Sequence, residues 1–278
     1  MNLEVTPKSS WQGQLDLCFG YQNGTTQILS SRAQAPLKLQ RPFYPEGNAI
    51  CHSVILHTAG GIVGGDRLLL NIQLEPHAQA LITTPAATKV YRSNQVEAQQ
   101  SVHIQVAESA CLEWLPQEAI IFNQAYYRQD LRVDLVEGAS WLGWEITRFG
   151  RSARGEQFLA GEWRSHTEVW QGDHPLWIDR QWLPGSAATV QSLHGLADYP
   201  VVGTFAWVGQ SVPPDFVQQA RQAWMGDSAE VGVTRLTKGL VCRYRGHSTT
   251  AARKWFTTVW QHIRQDYLNR DRCIPRVW

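Results

Sequence analysis

The glycine-rich run Gly60-Gly61-Ile62-Val63-Gly64-Gly65-Asp66 is the first segment to suggest chemistry, because clustered glycines let backbone N–H groups close around a phosphate. It lacks the Gly-Lys-Ser/Thr ending that sets a lysine on the terminal phosphates and a hydroxyl on magnesium. Nor is it a Gly-x-Gly-x-x-Gly dinucleotide fingerprint. Without those companions, glycines serve tight turns and close backbone approach. Thr83-Thr84-Pro85-Ala86-Ala87-Thr88-Lys89 offers hydroxyls and one cation, an unspecific set. His166-Thr167-Glu168 matches the opening of a zinc-deaminase signature, but the Pro-Cys-x-x-Cys half is missing. There is no Gly-x-Ser-x-Gly nucleophile elbow and no His-Glu-x-x-His helix. The chain is therefore not expected to be an enzyme.

Metal ligands are present but loosely placed. Cys51, His52 and His57 lie close in sequence, and Cys242 and His247 form a second, wider pair. Imidazole, thiolate and carboxylate all suit a borderline dication such as nickel. A closed structural site needs paired Cys-x-x-Cys or His-x-x-x-His elements, which are absent, and buried free thiols and core histidines explain the same residues. Acidic residues inside apolar segments are the more unusual feature: Glu113 in Leu-Glu-Trp, Glu118 in Gln-Glu-Ala-Ile, and Glu145 in Gly-Trp-Glu-Ile. A carboxylate in such company faces solvent by alternation or is buried and paired, since unpaired burial is costly. Arg148, Arg151 and Arg154 are candidate partners. Two readings follow: an ion-pair network that organises strand layers, or an acidic path for a divalent cation.

The elements that must position these groups repeat. Three segments align on Ala78, Ala110 and Ala139, each after a turn-forming stretch: Glu75-Pro76-His77, Glu108-Ser109 and Glu137-Gly138. Ahead of each turn, apolar residues alternate at matching offsets: Leu70, Ile72, Leu74; Val102, Ile104, Val106; Leu131, Val133, Leu135. Period two marks half-buried strands. A second short strand follows each alanine, at 79–83, 111–115 and 140–145. Pro85 and Pro116 end two of them. A repeated unit of this kind predicts stacked, helicoidal β layers sharing one core, in the manner of a β-helix. Thr167, Val169 and 175–178 form a weaker fourth unit with drifted spacing.

The last third changes character. Residues 215–225 carry apolar side chains at helical spacing, with Asp215 as expected N-cap and Gly226 as stop. Strands at 231–236 and 240–244 flank a Lys238-Gly239 turn, and 249–268 reads as a longer helix. Nothing resembles a linker, so 1–278 is taken as one mainly β domain with two helices in its final third.

The balance of 25 basic against 24 acidic residues argues against a nucleic-acid or anionic-membrane partner. No apolar leader or membrane-length segment occurs. Five widely spaced cysteines with no Cys-x-x-Cys suit a reducing cytoplasm. Thirteen tryptophans are an excess that a Trp-heavy core, or interfaces, would explain.

Several of these segments, taken in order, resemble the urease accessory protein UreD (UreH) family. They are Ala-Pro-Leu-Lys-Leu-Gln-Arg-Pro-Phe-Tyr-Pro-Glu-Gly at 35–47, His-Thr-Ala-Gly-Gly-Ile-Val-Gly-Gly-Asp at 57–66, and the run from Thr83 to Ser93. Leu-Glu-Trp-Leu-Pro-Gln-Glu at 112–118, Gly-Trp-Glu-Ile at 143–146, Gly-Glu-Gln-Phe at 155–158 and the terminal Pro-Arg-Val-Trp complete the set. The resemblance implies a helicoidal β fold and a role in delivering nickel to apo-urease, together with a UreF-like accessory protein and a UreG-like GTPase. GTP would then belong to the partner. It implies no tightly bound cofactor, with nickel carried transiently through an internal passage. Glu118 and Glu145 are nominated as lining of that passage, with Asp66 and Glu156 behind them. A purely structural adaptor that never touches metal is the alternative, and a small-molecule enzyme a more distant one.

Overall fold

The computed structural model describes residues 10–226 and 228–278. The chain enters through a hairpin, β1 (Gln12–Gln22) and β2 (Thr25–Gln34), followed by β3 (Leu37–Leu39) and β4 (Ile50–His57). It then winds in coils: β5 (Arg67–Leu74), β6 (Gln79–Thr83), β7 (Thr88–Val90); β8 (Ala98–Val106), β9 (Cys111–Leu115), β10 (Ala119–Ile121); β11 (Ala125–Leu135), β12 (Ser140–Phe149). A hairpin of β13 (Gly161–Gln171) and β14 (His174–Pro184) closes the coiled part. The remainder is α1 (Ala187–Gln191), β15 (Val201–Val208), α2 (Pro214–Gln222), β16 (Glu230–Leu236), β17 (Gly239–Gly246) and α3 (Thr249–Asp266). The coils make a β-solenoid of about four turns.

Successive coils pair in parallel on each face. One sheet runs β14-β13-β11-β8-β5-β1-β2, and the other runs β16-β17-β15-β12-β9-β6-β4-β3. A short third face joins β7 to β10 and β10 to the end of β12. The alternating triplets are direct partners: Leu70, Val102 and Leu131 align across β5, β8 and β11, as do Ile72, Ile104 and Val133. β1 adds a layer that the repeat does not reveal, with Leu15 and Leu17 opposite Leu70 and Ile72. Thr167 and Val169 extend the ladder opposite Leu131 and Val133.

Ala78, Ala110 and Ala139 sit at the corner between the two large sheets, each no more than 1 % exposed. The residues before them, His77, Ser109 and Gly138, have φ of 66°, 58° and 79°, a left-handed step that turns the chain. The corners stack by hydrogen bonds from Cys111 N to Ala78 O (3.0 Å) and from Ser140 N to Ala110 O (3.1 Å). A corner stacked this closely leaves room for little more than a methyl group.

The fourth unit departs from the repeat for a visible reason. A bulge at Val169/Trp170 precedes β14, which folds back antiparallel on β13 in the same sheet instead of crossing over. The place beside β12 is taken by β15, also antiparallel.

One core fills the space between the sheets, and a second lies on the outer face of the β12–β15–β17 sheet beneath α2 and α3. α3 begins where the sequence predicts, with Ser248 Oγ accepting from Ala251 N at 3.1 Å. It buries Ala252, Trp255, Phe256, Val259, Trp260 and Ile263, and each large side chain contributes about 2–3 kcal/mol of apolar transfer. α2 differs at its start: Pro214 takes the first helical position after Pro213, so Asp215 lies in the first turn, not at the cap. The five-residue α1, capped by Ser186, is too short to show a helical period. Tryptophans supply both cores, while Trp182 remains 62 % exposed on β14.

Candidate functional site

Between the two large sheets the apolar core gives way to a cavity of about 210 Å³. Its walls come from β11 and β13–β14 on one side, β12 and β15 on the other, and the corner loops after β4 and β6. With liquid water occupying roughly 30 Å³ per molecule, the space accommodates a small hydrated ion.

Glu145 on β12 faces this cavity. Alternation places Trp141, Gly143 and Glu145 on the inner face, whereas Leu142, Trp144 and Ile146 point to the helical side. The surface left to Glu145 is cavity wall, for the residue lies deep between the sheets. Ser165 Oγ on β13 donates to Glu145 Oε2 at 2.8 Å. Burial pushes the carboxyl up to about 7; the Ser165 bond works against this, and the nearby Asp179 charge adds to it. Asp179 enters from β14 and is held by Arg243 on β17, whose Nη1 and Nη2 donate at 3.1 and 2.9 Å. Arg243 is half exposed, so it clamps one sheet to the other at the outer margin of the cavity.

Three buried polar atoms of cavity-lining residues have no protein partner: His57 Nε2, Gln129 Nε2 and Trp141 Nε1. His57 is the informative one. Its Nδ1 lies 3.1 Å from the carbonyl oxygen of Ala59, which can only accept, so Nδ1 carries the proton. Nε2 is left as a bare lone pair, the arrangement in which a backbone carbonyl orients a metal-binding imidazole.

The other nominated residues are engaged elsewhere. Asp66 is fully buried and accepts from Trp11 N and Val63 N, both at 2.9 Å, which ties the start of β1 to the glycine-rich corner. Glu156 grips Arg151 through Nη2 (2.7 Å), Nε and the backbone N–H (both 3.0 Å). The Arg151 hydrogen bonds hold this carboxyl below the usual carboxylate range, against the opposing effect of burial. Glu118 pairs with Arg253 of α3 at 3.1 Å and accepts from Thr249; its neighbours Gln117 and Ala119 touch the cavity. Of the four, Glu145 alone lines it.

Glu113 is fully buried but faces α3. Trp260 Nε1 donates to it at 2.5 Å, Arg270 pairs with it, and Arg264 Nε stands 3.8 Å away. None of Glu113, Glu118 and Glu145 pairs with Arg148, Arg151 or Arg154: the arginine partners of Glu113 and Glu118 come from α3 and the tail, Glu145 meets Ser165, and Arg151 is taken by Glu156. The glycine run forms a corner. Ile62 bridges to Val90, and a Cβ at Gly61 or Gly64 would stand 2.6 or 2.7 Å from the carbonyl oxygens of Lys89 or Val96.

What these features define is a β-solenoid with an internal, carboxylate-bearing cavity, in which Ser165 serves to hold Glu145. The UreD urease accessory protein family model matches residues 12–278. A urease accessory protein UreD from Nostoc punctiforme is 62 % identical over 96 % of both chains. Others from Nostoc sp. and Synechocystis sp. are 59 % and 42 % identical, over 96 % and 93 % of this chain. The chain belongs to the UreD urease accessory protein family, whose role is in urease maturation.

Proposed function

We propose that this chain is a non-catalytic scaffold of urease maturation that hands nickel, as cargo, through the inter-sheet cavity toward apo-urease. The observation that carries this reading is Glu145, a carboxylate facing an internal cavity beside unpartnered polar atoms. Apolar packing would eliminate such a group, because burying it without a counter-charge costs stability. A dication removes that cost. Glu145 and Asp179 offer hard oxygen donors and His57 an imidazole at separate points of the cavity lining, groups that suit passing contacts with nickel and do not converge into one site. Asp66, Glu118 and Glu156 act in this reading as braces of the solenoid, their charges already engaged.

As scaffold, the chain works beside a UreF-like accessory protein and a UreG-like GTPase in the cytoplasm. The nucleotide belongs to the GTPase, in keeping with a glycine run that serves as a corner here. A metal-free adaptor is the competing reading, and Arg243 favours it by already occupying Asp179.

Nickel titration of the complex with the UreF-like partner distinguishes the two. A loss of one bound nickel equivalent in Glu145→Gln and Asp179→Asn, and no loss in Glu118→Gln, is expected. An intact wild-type complex that binds no nickel would leave the adaptor.

A further inference from the structure

A second cluster of ligand-type groups lies on the opposite face of the β4–β6–β9 sheet, away from the cavity. Glu46 precedes β4, His52 lies on it, and Cys273 belongs to the tail after α3. Each presents one ligand atom, and all three atoms fall within 4.8 Å of one another. His52 is fully buried. Its Nε2 is 2.6 Å from Glu46 Oε1, while its buried Nδ1 has no partner. Cys273 is fixed in position because Gln261 Nε2 and Arg264 Nη1 donate to its carbonyl oxygen at 2.9 and 3.4 Å.

We propose that Glu46, His52 and Cys273 form a binding site for a thiophilic divalent transition-metal ion, distinct from the inter-sheet cavity. Mixed nitrogen, sulfur and oxygen donors select nickel, cobalt or zinc over magnesium or calcium. Without metal, the imidazole proton on Nε2 bridges to Glu46. The ion takes the Nε2 lone pair once that proton sits on Nδ1, and the move breaks no other bond because Nδ1 has none. The second oxygen of Glu46 stays with Arg264, so the ligating carboxylate keeps an outer partner. Two carboxylates, Glu46 and Glu113, already offset two guanidinium groups, Arg264 and Arg270. The one further negative charge set against the ion must therefore come from the thiolate, whose proton leaves to solvent on binding. This dependence on sulfur makes the site testable by spectroscopy.

The full-length protein is titrated with cobalt(II), which absorbs in the near ultraviolet when thiolate-bound. In wild type the sulfur-to-cobalt band is expected to saturate at about one equivalent, and Cys273→Ser is expected to lose the band and to bind that equivalent at least ~10-fold more weakly, since even a supporting group is worth that much. Cys18→Ser, on β1, and the cavity double variant Glu145→Gln/Asp179→Asn are expected to keep the band. Circular dichroism checks that Cys273→Ser is folded. A wild-type protein without the band, or a band that survives Cys273→Ser, overturns the site whatever happens at the cavity.

Discussion

A carboxylate between two packed sheets must either hold its proton or meet a cation, and Glu145 is built for that choice. Its pKa is pushed from 4.5 up to about 7 by burial, with Asp179 adding to the effect. Below about pH 4.5 the folded and unfolded forms both keep the proton, and the group costs nothing. As pH rises the unfolded chain ionises first, and above about pH 7 the folded state carries the whole penalty, on the order of 3 kcal/mol. Glu145→Gln is thus expected to melt higher than wild type at pH 8, with the gap closing toward pH 4.5. Nickel at pH 8 should raise the wild-type midpoint more than that of the variant. An equal gap at both pH values would show that the carboxylate is not desolvated. Substitution at Glu113 has the opposite effect on stability, because two guanidinium groups pair with it. Glu113→Gln leaves Arg264 and Arg270 short of a counter-charge in a buried place and should cost about 3–5 kcal/mol by urea denaturation. The sequence marked Glu145 as an acidic residue in the apolar stretch Gly-Trp-Glu-Ile but left open whether it faces solvent or the interior. Asp179 was not legible, since its facing depends on how β14 registers on β13 past a bulge. The partners of Glu113 and Glu118 were hidden because α3 and the tail are more than a hundred residues away in sequence.

The corners carry the solenoid, and their residues are set by space and backbone sign together. Ala110 is 1 % exposed and its carbonyl holds the next coil at Ser140. Ala110→Leu forces extra methylenes into a filled corner and should cost about 1–3 kcal/mol, read as a shift of the denaturation midpoint at constant slope. An unchanged midpoint would mean the corner is loose. The same corners explain what sequence reasoning could reach. Coils of nearly equal length place identical offsets in register, so three of them announce a stacked β fold. The layer of β1 escapes because a hairpin partner and a long connection separate it from the repeat. α3 is legible because its apolar stripe is long, while the start of α2 is misplaced because Pro214 fits the first turn better than Asp215 fits the cap.

The whole molecule combines a solenoid core with surfaces that solvent does not explain. Ile178 and Trp182 are 40 % and 62 % exposed on β14, the free edge of its sheet. Co-expression with the proposed UreF-like partner is expected to raise soluble yield, and equal yield alone would argue against a large apolar interface. No helix among the described residues is long and apolar enough to cross a membrane. The decisive measurement is nickel transfer: the nickel content and activity of urease after incubation with the assembled accessory complex at limiting nickel. With Glu145→Gln/Asp179→Asn in place of wild type, assembly by size-exclusion chromatography should be unchanged and transfer should fall at least ~10-fold, the scale of losing ligands or their supports. Undiminished transfer through an intact double-variant complex would contradict a route through the inter-sheet cavity.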